Sequence, residues 1–155
     1  MKNIKTIYLL IFLFFLSCGF KPANLKDRNQ IFLQEINISG EKKIGYTLKN
    51  NILLISNKTS KDKYTAKIKI VKQKNIKIKD TTGKVTRFNL SLSANLQLTN
   101  LKNNIQTQKY FIRTVNFDVA DVHFNTINNE RNATDNLTQQ ISDDIIYFIS
   151  FSGMN

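Results

Sequence analysis

The stretch Phe88-Asn89-Leu90-Ser91-Leu92-Ser93-Ala94-Asn95-Leu96-Gln97-Leu98 decides the fold. Six apolar residues alternate with five Asn, Ser or Gln residues without a slip, and successive side chains of a strand point to opposite faces. One face of this strand is therefore a core. The other is polar yet uncharged.

A half-buried strand needs neighbours, and the flanking sequence supplies them. Upstream, Tyr64, Ala66, Ile68 and Ile70 alternate with Thr65, Lys67 and Lys69, and Thr81-Thr82-Gly83 turns the chain. Ile76 and Ile78 return to the parity of Ile70, but Lys72 and Lys74 interrupt it, as a bulge or an overhanging strand end would allow. Downstream, Asn100 to Asn104 turns the chain into a strand from Gln108 to Asp118. There Phe111, Val115 and Phe117 share one face while Tyr110 and Ile112 load the other, so both faces are expected to meet something. Nearer the N-terminus, Phe32, Ile36 and Ile38 share the parity of a first strand, closed by Ser39-Gly40.

Two segments change period. Ile44, Leu48, Ile52 and Ile55 recur at spacings of four, four and three, which predicts a helix over 42–56. Gly45 and Asn50-Asn51 lower its propensity, so packing must hold it. Ala133, Leu137, Ile141, Ile145 and Phe148 predict a longer helix ending near Gly153. The order β-α-β-β-β-α gives an α+β two-layer sandwich, a four-stranded sheet with two helices packed on one face. Leu90, Leu92 and Leu96 are expected to meet Leu137, Ile141 and Ile145 in its core.

The N-terminus carries an address. Lys2 and Lys5 precede the apolar block Ile7 to Leu16, which meets Ser17-Cys18-Gly19. A block of about ten residues is half of what a membrane-spanning helix needs, and the order charged, apolar, small is that of a secretory signal. A Cys directly after a small residue marks the lipoprotein form, and Cys18 is the only Cys in the chain. The expected division is a removed signal peptide over 1–17, a lipidated tether over 18–30 and one domain over 31–155. A diacylglyceryl thioether and an N-acyl chain on Cys18 would anchor it to a membrane, and Gly19, rather than Asp, favours the periplasmic side of the outer membrane. No intramolecular disulfide is possible with one Cys.

The chain carries a formal net charge of +12, which falls to +10 once Lys2 and Lys5 are removed. Such a surplus suits anionic partners, and export excludes nucleic acid. Ten Lys against Asp62 and Asp80 place +8 between Lys58 and Lys84. Lys67 and Lys69 project to one side of a strand, about 6 to 7 Å apart, a spacing that suits phosphates on a sugar-lipid head group. Two other readings remain open: Lys on an edge strand blocks edge-to-edge pairing, and a Lys-, Asn- and Ile-rich composition produces the same surplus by drift.

Catalytic chemistry is not legible. Asp118, Asp121 and His123 are the only cluster with metal-ligating side chains, and their spacing after a strand suits a loop and helix start better than a ligand set. No Gly-x-Ser-x-Gly elbow or phosphate-binding Gly loop occurs. Asp143 and Asp144 fall on the polar side of the last helix, with no role assigned. The expectation is a protein that is not an enzyme, with no metal and no cofactor beyond its covalent lipid.

Three stretches carry a family resemblance. Cys18-Gly19-Phe20-Lys21-Pro22, Thr86 to Leu96, and the run from Tyr110 to Asn125 with the helix to Phe151 are similar to the mature start, long central strand and C-terminal elements of the LPS-assembly lipoprotein family LptE. The resemblance implies a non-catalytic subunit that plugs the outer-membrane barrel LptD, helps it fold, and contacts lipopolysaccharide in transit. Charge and strand position single out Lys67, Lys69, Arg87 and Arg113 as candidate lipopolysaccharide contacts. The competing expectation is a stand-alone, periplasm-facing lipoprotein that binds a lipid or acts as a structural adaptor; a lipid carrier would need an apolar cavity between sheet and helices.

Overall fold

A computed structural model describes residues 31–152. The signal, the tether and Cys18 lie outside the described residues. The elements are β1 (Ile31–Ser39), α1 (Lys42–Leu53), β2 (Asp62–Lys79), β3 (Val85–Asn100), β4 (Gln106–Asp118) and α2 (His123–Ser152). They form one four-stranded sheet in the order β1-β2-β3-β4, with β1 parallel to β2 and the other pairs antiparallel. The expected α+β architecture, with its β-α-β-β-β-α order, is the one observed.

The inner face of the sheet carries the core. Leu90, Leu92, Ala94, Leu96 and Leu98 are at most 2% exposed, and Tyr64, Ala66, Ile68 and Ile70 of β2 lie beside them. Leu137, Ile141, Ile145 and Ile149 of α2 and Ile44, Leu48 and Ile52 of α1 close this face. All six residues expected to pack together do so. These side chains pack the middle of the layer between sheet and helices.

Packing holds α1 where propensity is weak, and its two unfavourable residues have identifiable uses. Gly45 lets the helix lie close to the sheet, since a Cβ there would meet Ile38 Cγ2 at 3.2 Å. Asn51 Nδ2 donates to Ser142 Oγ of α2 at 3.1 Å. Ser142, buried in α2, satisfies its own hydroxyl by donating to the Thr138 carbonyl one turn back. Gly40 turns the chain out of the sheet toward the helices. Its φ is +111°, and a Cβ would collide with the Ile70 carbonyl oxygen, so only glycine fits without strain.

Several expectations need correction. In β1 the register shifts between Leu33 and Glu35. This bulge inverts the parity, so Ile31 and Leu33 are buried with Ile36 while Phe32 is only partly covered. The helix α1 stops at Leu53 rather than 56, and a turn follows. In β4, Tyr110 and Ile112 are 59% and 54% exposed; their face meets no layer among the described residues. The break at Lys72 and Lys74 is an overhang, because β1 pairs with β2 only as far as Lys69. Beyond it, further register shifts surround Ile78 and set it opposite Arg87.

Candidate functional site

The outer face of the sheet is the large surface that no helix covers among the described residues. Pairing places Asn37, Lys67 and Gln97 in one row across β1, β2 and β3, and Ser39, Lys69, Asn95 and Tyr110 in the next, which reaches β4. A third row joins Val71, Ser93 and Ile112. Its polar groups are partly tied to one another: Gln108 Nε2 donates to Asn95 Oδ1 and Asn89 Nδ2 to Asn116 Oδ1, both at 3.0 Å. An open groove of about 360 Å³ runs between Asn37, Ser39, Lys67, Lys69, Asn95, Gln97 and Gln108. The surface is therefore polar, hydrogen-bonded and basic at one side, with Val71, Tyr110 and Ile112 as an exposed apolar patch.

Lys67 and Lys69 are exposed on this face, and no ion pair among the described residues engages them. Their register bears on the edge-protection reading. Lys67 lies opposite Asn37 of β1 and Gln97 of β3, and Lys69 opposite Ser39 and Asn95. Both positions are interior to the sheet, so guarding a free edge does not account for them. Lys72, Lys74, Lys77 and Lys79 follow in the overhang, where β1 no longer covers β2.

The two arginines are placed differently. Arg87 shares the outer face but donates from Nε to Asp118 Oδ1 at 2.5 Å, and the carboxylate raises its pKa further by hydrogen bonding and charge. Arg113 is opposite Leu92 and so lies on the inner face, where it grips Asp144 of α2 through Nε and Nη2, each at 2.7 Å. The four candidate contacts do not form one patch: Lys67 and Lys69 share a groove, Arg87 is held by a neighbour, and Arg113 is an interlayer clamp. Asp144, given no role from the sequence, is the other half of that clamp.

Sequence reasoning missed a second clamp. Lys72 and Lys74 keep inner-face parity, opposite Leu92 and Leu90, and both reach Glu130 of α2, at 3.2 and 2.8 Å. Glu130 is 27% exposed, and hydrogen bonds from Lys74, then Lys72, hold its carboxyl below the usual range against the opposing effect of burial. Lys74 Nζ also sits 5.1 Å from the Phe88 ring centroid. The available signal was two lysines at core parity, which requires an acid from the facing helix. The ten lysines between Lys58 and Lys84 thus divide among the chain-entry end, the outer face, the Glu130 clamp and the β2–β3 hairpin.

A family model described as LptE, lipopolysaccharide assembly, matches residues 31–149. Among solved structures, a rare lipoprotein B from Shewanella oneidensis aligns with a TM-score of 0.62 at 10% identity, covering 79% of this chain and 98% of that one. A lipoprotein from Caulobacter crescentus CB15 aligns at 0.58 and 15% identity, covering 84% and 96%. A lipoprotein B from Nitrosomonas europaea aligns at 0.50 and 18%, covering 85% and 90%. At such identities the likeness is one of fold. No curated protein matches the chain.

Proposed function

The chain belongs to the LptE lipopolysaccharide-assembly family, and from that premise we propose that it acts without catalysis, as the plug and folding partner of the outer-membrane barrel LptD. The observation that carries this reading is the uncovered outer face of the sheet. Barrel interiors are polar, and a surface of Asn, Ser, Gln and Thr side chains suits such a lumen better than a charged or wholly apolar one. The exposed Val71, Tyr110 and Ile112 patch supplies the apolar centre that stable interfaces use.

Lipopolysaccharide phosphates meet Lys67 and Lys69 in this reading, because their ammonium groups share a groove and are not committed to carboxylates. Arg87 would join only by giving up Asp118. Arg113 would have to leave the inner face and is the weakest of the four candidates. Cys18, bearing diacylglyceryl and N-acyl chains, holds the protein at the periplasmic side of the outer membrane; intact mass of membrane-extracted protein showing an unmodified Cys18 would remove this part.

Affinity isolation from detergent-solubilised outer membrane tests the partnership. The expected product is a one-to-one complex with a β-barrel protein. Recovery of the lipoprotein without a barrel would favour the stand-alone adaptor instead.

A further inference from the structure

The end of the domain where the chain enters has a surface chemistry of its own. Residue 31 opens β1 here, where Asn57 N donates to the Ile31 carbonyl and Leu101 N to that of Lys63. The helices α1 and α2 run toward the same end, since Lys43 pairs with Asp135 near the start and Asn51 with Ser142 further along. Leu54, Leu101, Ile105, Tyr147 and Phe151 are exposed there. Ile105 and Phe151 line one groove of about 430 Å³ with Tyr64, whose hydroxyl receives Asn100 Nδ2 at 3.2 Å. The Tyr147 and Phe151 rings lie 4.4 Å apart.

Lysines surround this apolar end. Lys58, Lys61, Lys63 and Lys102 are exposed on the loops and strand start that frame it. None takes part in the ion pairs found among the described residues. Aromatic and aliphatic side chains interleaved with lysine fit the boundary of an anionic bilayer, where rings sit at head-group depth and ammonium groups meet lipid phosphates.

We propose that this end of the domain is a bilayer-docking surface for anionic phospholipid, seated beside the lipid on Cys18. The proposal rests on the Cys18 anchor reading. Residues 19–30 separate the anchor from β1, and twelve residues span at most about 40 Å when fully drawn out. The 30-residue α2 is itself about 45 Å long. Because the lead joins the domain at residue 31, it is the entry end that the anchor draws toward the membrane. The charge arrangement adds an attraction that the acyl chains alone lack, and a lipidated segment with a basic patch is retained better than one with lipid only.

The chain contains no Trp, so Phe151→Trp and Phe124→Trp each create a single fluorescent reporter. The two sites lie at opposite ends of α2, about 40 Å apart at 1.5 Å per residue. Mature acylated protein carrying either change is reconstituted into phosphatidylethanolamine/phosphatidylglycerol vesicles containing lipid brominated near the head group. Phe151→Trp should be quenched at least about twofold more than Phe124→Trp, as expected for a face seated 5 to 10 Å into the head-group boundary. Exchanging phosphatidylglycerol for phosphatidylcholine should reduce that quenching; no change would overturn the role given to anionic lipid. If the protein floats with the vesicles but both reporters are quenched alike, docking is overturned while the anchor stands. If it does not float, the anchor reading fails and the docking surface fails with it.

Discussion

On β3, Leu90, Leu92, Ala94, Leu96 and Leu98 are buried beneath two helices, whereas Ser91, Ser93, Asn95 and Gln97 on the opposite side stay half-exposed, with no layer over them among the described residues. The same backbone thus serves two surfaces with separate duties. The inner face gains free energy from removing apolar area from water, and its Lys72, Lys74 and Arg113 are answered by acids from α2. The outer face gains little by folding, keeps its polar groups hydrogen-bonded along the sheet, and leaves Lys67 and Lys69 uncommitted. Substitutions inside should therefore move stability, and substitutions outside should move binding.

The largest expected effect is Leu92→Ala. Leu92 is 1% exposed, so truncation should cost about 2 to 5 kcal/mol in urea unfolding of the purified protein. A loss below about 1 kcal/mol, outside the range for buried leucine, would mean that the inner face is wrongly assigned. Gly40→Ala comes next, at about 1 to 3 kcal/mol, because a methyl group would enter the Ile70 carbonyl at a positive φ. Thermal unfolding measures it, and an unchanged midpoint would show that the chain leaves the sheet by another path.

Glu130→Gln sharpens the comparison through pH. Glu130 has a lowered pKa in the folded protein, so its contribution is present above the unfolded value near 4.5 and is lost as pH falls through the folded value. The variant should be about 1 kcal/mol less stable than the parent at neutral pH, a magnitude limited by the solvent access of the pair. The gap should close as pH drops below the ordinary carboxylate range. A gap that persists in acid would assign the loss to packing rather than to the Lys72 and Lys74 contacts.

How far the sequence could be read follows from the same division. Alternation on β3 and four-residue spacing on α2 are local signals, and they identified the core from both sides. The β1 bulge was missed because Phe32, Ile36 and Ile38 share a parity in sequence; one extra residue, paired with nothing on β2, transfers the burial to Ile31 and Leu33. The clamps Arg113–Asp144 and Lys72–Glu130–Lys74 depend on how far α2 slides along the sheet, which no local period encodes. Lys67 and Lys69 were legible as a pair, but their protection from the sheet edge required the register with β1. Tyr110 and Ile112 read as partnered on the expectation of two covered faces; among the described residues nothing covers them on the outer face.

The central claim, that the outer face binds while the inner face folds, is tested most directly by one double variant, Lys67→Gln with Lys69→Gln. Lipopolysaccharide binding is measured at low and high salt beside urea unfolding of the same preparation. Two exposed ammonium groups contribute up to about 1 kcal/mol each at an anionic surface, so affinity should fall roughly tenfold. The remaining binding should be less sensitive to salt, and stability should change by no more than about 0.5 kcal/mol, as for surface positions generally. Binding equal to that of the parent, at both salt concentrations, would contradict the account and return the basic pair to compositional drift.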